Sequence, residues 1–195
     1  MFDFLIVFSN PIMEKQKFGF FALFDTDSPD SHVGALLITD EQGIPLEFKC
    51  THAVKPTAIQ KTLYGEKLKS YIANTLCAVP LLNSAGNKPS IIFVNAPYVL
   101  GLRQETQIPT LLVKSAGEAI NLVQGDTDDS ARSRVENHTG AYQPVVIQPH
   151  PSFKDDLKKL NEQIQTLFNQ FDLNEPFDRM QKSIEILGKH DSKFK

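Results

Sequence analysis

The sequence predicts an α/β protein, with a mixed β-sheet built from an antiparallel meander followed by βαβ-type crossovers and with a C-terminal helical pair. Apolar runs of strand length dominate the first 50 residues, and helix-capping signals begin after residue 55. Two long segments with helical spacing follow residue 151. Strands therefore come first and later alternate with helices, which is the order of a meander extended by crossovers.

The strands are predicted from apolar or alternating runs bounded by turn residues. They are residues 2–8, 18–24, 33–39, 44–50, 91–94, 110–114 and 144–148. The segment 40–43 ends in Gly43 and predicts a short hairpin loop. Pro45 cannot donate to a ladder, which predicts an edge strand or a bulge there. The strand 91–94 follows a helix, so we expect it to be parallel to an earlier strand.

The first helix is predicted from its capping residues. Thr57 and Gln60 have the spacing of a capping box, and Gly65 is a candidate C-terminal cap. Ile59 and Leu63 would form its apolar side together with Tyr64. A second helical segment, residues 66–79, is expected to end at Pro80.

The C-terminal part predicts two further helices, residues 152–171 and roughly 175–187, each with a narrow apolar stripe. We interpret the stripes as a surface for a partner subunit or for self-association, or as a face packed on the protein's own sheet. The stripe residues are Leu157, Leu160, Ile164, Leu167, Phe177, Met180, Ile184 and Leu187. The predicted organisation is an α/β core domain (1–124), a flexible polar loop (125–142), and a last strand with a helical hairpin (143–195).

Two stretches resemble a family of bacterial proteins from which no activity can be carried over. The resemblance implies only that both ends belong to one bacterial protein of the cytoplasm. The matching residues are Gly34, Ala35, Leu36, Leu37, Thr39, Asp40, Gly43, Pro45, Leu46, Glu47, Phe48, Val54, Lys55, Pro56, Thr57, Gln60, Leu63, Tyr64 and Gly65, then Phe171, Asp172, Leu173, Glu175, Pro176, Phe177 and Arg179.

The order of elements is also that of the ribonuclease H-like fold, whose nucleases hold two divalent metals with carboxylates from the first strand, the first helix and the fourth strand. Asp25 and Glu66 fall near two of these places. The fourth strand ends in Val94 and Asn95, and no carboxylate follows before Glu105. An active nuclease is therefore disfavoured, whereas a degenerate relative that binds nucleic acid stays open.

Other candidate chemistry is weak. The acidic run 126–129 lacks the glycine and flanking helices of a calcium loop and predicts a solvated linker. Cys50 and His52 could form a nucleophilic pair, but no third group orients them. The five histidines are dispersed, and no cofactor motif is found, so we predict neither zinc nor another cofactor.

The composition constrains partners and location. A net charge of −3 argues against general attraction to nucleic acid or to anionic membranes. Four lysines between residues 55 and 69 lie near Tyr64 and Tyr71 and could contact phosphates, but helix surfaces commonly carry such lysines. No segment is long and apolar enough for a membrane span, and Cys50 and Cys77 have no short spacing, which predicts a cytoplasmic protein.

From the sequence we therefore expect a non-catalytic accessory or adaptor subunit of a bacterial multiprotein system that acts through its C-terminal helices. Nucleic acid is a less favoured partner that the sequence leaves open. The alternative is a ribonuclease H-like metal-dependent nuclease or its degenerate, nucleic-acid-binding relative.

Overall fold

A computed structural model describes residues 16–117 and 132–195. Its strands are β1 (Phe18–Asp25), β2 (His32–Thr39), β3 (Pro45–Cys50), β4 (Ile91–Val94), β5 (Thr110–Ser115), β6 (Ser133–Val135) and β7 (Val145–Pro149). They form a mixed sheet of seven strands in the order β3-β2-β1-β4-β5-β7-β6. The strand predicted at residues 2–8 lies outside the described residues.

The pairing of the strands confirms the predicted fold class. β1, β2 and β3 form an antiparallel meander. β4 is parallel to β1, and β5 is parallel to β4. β7 then runs antiparallel to both β5 and β6. Pro45 begins the edge strand β3, and the register shifts opposite it, as its missing N–H predicts.

The helices cover both faces of this sheet. They are α1 (Ala58–Tyr64), α2 (Leu68–Tyr71), α3 (Val79–Ser84), α4 (Leu102–Thr106), α5 (Asp155–Gln170) and α6 (Glu175–His190). A 3-10 turn, Gly65–Lys67, joins α1 to α2, and a π-helical segment, Ile72–Ala78, joins α2 to α3. No helix of the described residues is long and apolar enough to cross a membrane.

Alternate residues of each central strand point to opposite faces and form two apolar clusters. On one face, Phe21 and Ile92 pack with the π-helical segment, α3 and α4. On the other face, Phe20 and Phe93 pack with α5 and α6. The rings of Phe20 and Phe93 stack at 5.3 Å, and the Phe177 ring of α6 meets Phe20 edge-on at 5.7 Å. The C-terminal helical pair is thus part of the core.

The helical segment continues past Pro80, where the sequence predicted an end. Pro80 is the second residue of α3, and the backbone before it is already helical, so its missing N–H falls within a continuous helical segment. The wider π-helical turns of Ile72–Ala78 precede it, and α3 extends to Ser84. A proline that follows a π-helical segment can therefore begin a new stretch of the same helix.

The polar segment 125–142, which the sequence predicts to be a flexible loop, is in part packed against the sheet. Its residues 125–131 lie outside the described part, but Ser133–Val135 form β6 at the sheet edge. Val135 is buried, and the Asn137 side-chain amide donates to the Phe168 carbonyl at 3.0 Å. Arg132 donates to the Gln148 side chain at 3.1 Å, so this half of the segment is packed against the body.

Candidate functional site at the end of β1

The carboxyl ends of the parallel strands β1, β4 and β5 lie at one edge of the sheet, where open α/β sheets bind their ligands. Asp25 is the last residue of β1, and its register partner is His32, the first residue of β2. His32 Nδ1 lies 2.7 Å from Asp25 Oδ1, which is hydrogen-bond distance. His32 is mostly buried, whereas the Asp25 side chain is 66% exposed. The Asp25 carboxylate is therefore held by His32 of the neighbouring strand, and the rest of it is accessible to solvent.

Lys69 of α2 approaches Asp25 from the helical layer. Its Nζ lies 3.4 Å from each carboxylate oxygen of Asp25. The same ammonium lies 5.6 Å from the centre of the Tyr98 ring, a cation–π distance. The Lys69 side chain is 44% exposed, so its ammonium is still accessible from solvent. We call Asp25, His32, Lys69 and Tyr98 the Lys69 cluster.

Tyr98 lies in a 3-10 turn, Pro97–Val99, which is held against the helices by its own backbone. The Tyr98 carbonyl accepts hydrogen bonds from Ser70 Oγ at 2.9 Å and from Asn74 Nδ2 at 3.1 Å. Burial, and secondarily the negative charge of Asp25, raises the pKa of the Tyr98 phenol to about 12. Tyr98 therefore stays neutral at physiological pH and can act only as a hydrogen-bonding and stacking group.

The sheet register separates the positions that a metal pair would need. Phe21 of β1 is level with Val94 of β4, so Asn95 is level with Ala22. Asp25 lies three residues beyond Ala22, or about 10 Å further along the sheet. Metal ions of a two-metal site are about 3.5–4 Å apart and need carboxylates that converge on them. At the level where β1 and β4 meet, the chain offers a buried alanine and an asparagine.

Glu66, the other candidate metal ligand from the sequence, does not complete a metal site with Asp25. Glu66 lies in the 3-10 turn before α2, is exposed, and forms no ion pair or hydrogen bond with the described residues. No group of three or more His, Cys, Asp or Glu side chains in residues 16–117 and 132–195 could hold a metal ion. The described residues thus do not fit the two-metal centre of a ribonuclease H-like nuclease, and Lys69 supplies the positive charge beside Asp25.

A cavity of about 200 Å³ adjoins Asp25 on the side of α6. Its lining combines acidic side chains (Asp25, Asp27, Glu185) with two lysines, Lys189 and Lys195. Because both signs are present, this cavity has no strong preference for an ion of either charge. Lys69 on the opposite side of Asp25 is the better-defined anion contact.

Other candidates from the sequence are separated or unsuitable. Burial raises the pKa of the Cys50 thiol, which disfavours the nucleophilic thiolate. The ring of His52 packs edge-on against Phe194 at 5.4 Å and has no hydrogen bond with Cys50. The acidic run 126–129 lies outside the described residues.

The apolar stripes of the C-terminal helices face the sheet. Six of the eight side chains are buried in the cluster under α5 and α6, and Leu160 and Leu187 pack against it half-buried. The protein's own sheet therefore covers the apolar stripes that we interpreted as a surface for a partner.

The opposite helical layer has the exposed apolar surface instead. α1 has no buried residue, and Ile59 and Leu63 are 72% and 77% exposed. The Tyr64 ring stacks on Tyr71 with centres 4.5 Å apart and an interplanar angle of 23°. The sequence predicted Ile59, Leu63 and Tyr64 on the apolar side of this helix. Nothing in the sequence indicates that this side is not covered by the rest of the protein.

Comparisons with known proteins identify the fold. No protein-family model matches the chain, and no curated protein matches it in sequence. Among solved structures, human endonuclease V is 15% identical with a TM-score of 0.55, over 87% of this chain and 82% of that one. The catalytic domain of human endonuclease V is also 15% identical with a TM-score of 0.53, over 89% and 85%. The α/β fold is therefore similar to that of endonuclease V.

This likeness corrects two expectations. The interpretation of the chain as an adaptor that acts through its C-terminal helices is wrong, because those helices are core elements of an endonuclease V-like fold. Nucleic acid was treated as the less favoured partner, and the fold of a nuclease contradicts that ranking as well. Net charge averages over the whole surface, whereas residues 55–71 alone carry four lysines and one glutamate.

Proposed function

We propose that this chain is a nucleic-acid-binding relative of endonuclease V-like enzymes that contacts phosphate through Lys69 and has lost the metal-dependent cleavage centre. The observation that carries the proposal is the position of the Lys69 ammonium, 3.4 Å from both carboxylate oxygens of Asp25 at the end of β1. The structures of similar fold are endonucleases by name, which supports nucleic acid as the ligand class.

The chemistry of the Lys69 cluster suits binding. A lysine ammonium has three donors, and the long contacts to Asp25 leave it able to donate to a phosphate oxygen as well. The surrounding segment 55–71 has a local charge of +3, in a chain whose net charge is −3. A polyanion would therefore meet this face rather than the rest of the surface. A cytoplasmic location belongs to the same proposal and is supported by two free thiols, Cys50 and Cys77.

The test is Asp25→Asn, measured by fluorescence anisotropy with labelled DNA and RNA oligonucleotides. Removing the carboxylate charge frees Lys69 for phosphate, so we expect affinity to rise about two- to fivefold, the range of an exposed ion pair. Lys69→Ala should weaken binding and lower the salt dependence of affinity by about one phosphate contact. Glu162→Gln, which removes one exposed negative charge from α5 on the opposite face, is the matched control and should change little.

A metal-ligand role for Asp25 gives the opposite result. If the wild type cuts an oligonucleotide with Mn²⁺ or Mg²⁺ and Asp25→Asn abolishes the cutting, the loss of the cleavage centre is refuted. If the wild type binds no oligonucleotide of either type, the ligand class itself is wrong.

A further inference from the structure

The stacked pair Tyr64–Tyr71 lies on the same helical layer as Lys69 and is unexplained by the packing of the core. Neither ring belongs to either apolar cluster of the described residues. Tyr71 is half-buried, and Tyr64, stacked on it, is 37% exposed. A hydrogen bond with Tyr71 also raises the pKa of the Tyr64 phenol. The two rings therefore form a stack whose outer member, Tyr64, is accessible to solvent.

We propose that Tyr64 is a stacking platform for an unpaired base of single-stranded nucleic acid whose backbone contacts Lys69. This inference rests on the proposed function and adds the form of the ligand. A base placed on Tyr64 would extend an existing stack, and it would do so without ordering a mobile side chain first. Base stacking on aromatic rings is tolerant of sequence but requires a base that is not already stacked within a duplex.

The spacing between the two contacts suits a short stretch of single strand. Tyr64 and Lys69 are five residues apart along a continuous 3-10 and α-helical segment. At about 1.5–2 Å per residue this gives about 8–10 Å. Successive nucleotides of a stacked strand are about 3.4 Å apart, so the span corresponds to about two to three nucleotides.

The charges around the platform favour a polyanion over an apolar partner. Lys55 and Lys67 flank α1, are exposed, and have no acidic side chain within ion-pair distance among the described residues. Lys61 of α1 pairs with Asp30, whose pKa it lowers by hydrogen bonding and by charge. The exposed side chains of Ile59 and Leu63 give the same helix an apolar surface for sugar and base edges. Unpaired lysines interleaved with aromatic and apolar groups are typical of single-strand grooves.

The experiment compares three labelled probes: a 12-nucleotide oligo-dT, a 12-nucleotide oligo-U and a 12-base-pair DNA duplex. We expect Tyr64→Ala to weaken binding of both single strands about five- to 150-fold while duplex binding changes little. Tyr64→Phe keeps the ring and should retain the wild-type affinity. Ile186→Ala is the surface control, because Ile186 is 57% exposed on α6, a helix that packs on the other face. A 5-iodouracil probe should in addition photo-crosslink to Tyr64.

The outcomes separate this inference from the function on which it rests. If the wild type binds single strands and Lys69→Ala weakens that binding but Tyr64→Ala does not, the stacking platform is refuted and the proposed function stands. Equal losses for duplex and single strand on Tyr64→Ala would also refute it, since a duplex offers no unpaired base. If no probe binds the wild type, the proposed function fails first.

Discussion

Ile164→Ala and Ile186→Ala form a matched pair that tests whether the C-terminal helices are core. Ile164 of α5 is fully buried beneath the sheet, whereas Ile186 of α6 is 57% exposed. Truncating a buried isoleucine costs about 2–5 kcal/mol, because transfer free energy is lost and a cavity remains. Truncating an exposed isoleucine that does not pack in the core changes the unfolding free energy by about 0.5 kcal/mol or less. We expect a difference of about 3 kcal/mol between two identical substitutions.

Urea and thermal denaturation, each followed by circular dichroism, measure this difference in unfolding free energy. For a chain of this size, 1 kcal/mol corresponds to about 2–4 °C in Tm, so Ile164→Ala should melt about 6–12 °C below Ile186→Ala. The urea dependence of the unfolding free energy should be unchanged in both variants. Equal stability of the two would mean that α5 leaves the sheet in solution, and the assignment of the helical pair to the core would be refuted.

Two further predictions concern polar links that hold the layers together. The Glu47 carboxylate accepts hydrogen bonds from the Asn87 backbone at 2.8 Å, the Gly86 backbone at 3.1 Å and the Asn87 side chain, and these bonds lower its pKa from 4.5 to about 2. Because the folded-state pKa is the lower one, this stabilisation is complete above about pH 5 and is lost as the pH falls from 4.5 towards 2. Glu47→Gln should therefore lower the unfolding free energy at pH 7 by about 1–2 kcal/mol, allowing for solvent screening, and the deficit should vanish by pH 2 in urea titrations. Arg103 and Asp156 form a largely buried ion pair at 2.6 Å between α4 and α5. Asp156→Leu should cost about 3 kcal/mol, since it leaves Arg103 without a counter-charge, and combining it with Arg103→Met should recover most of the loss. Additive losses in that double-mutant cycle would show that the two side chains do not interact.

Much of the fold follows from local sequence signals, because those signals agree with the final packing. The capping box of Thr57 and Gln60 is present, and Gly65 adopts the positive φ of a helix end. The helix end predicted at Pro80 was wrong, because a π-helical segment that lets the helix continue has no residue signature of its own. The strand β6 was missed for a different reason: three residues at an edge carry too little apolar periodicity to be told from a loop.

The candidate site was less accessible to sequence reasoning. Asp25 was identified as a residue at the end of a strand, but its contacts with Lys69 and His32 join residues 44 and 7 positions away. The register of β1 against β4 decides that Asp25 and Asn95 are about 10 Å apart along the sheet, and register depends on the whole sheet. The net charge of −3 does not reveal the local concentration of lysines between residues 55 and 69, because acidic residues elsewhere in the chain outweigh them.

A lysine and a divalent metal offer different chemistry to a phosphate, and this difference decides what the edge of the sheet can do. A metal ion neutralises developing charge and also lowers the pKa of a bound water to give a nucleophile. The Lys69 ammonium can neutralise and donate hydrogen bonds, but it cannot generate that nucleophile. With Lys69 beside Asp25 and an alanine level with Asn95, the described edge offers a phosphate an ammonium donor, and its residues form no carboxylate cluster for a metal pair. This arrangement is the basis of the proposal that the protein binds nucleic acid without metal-dependent cleavage.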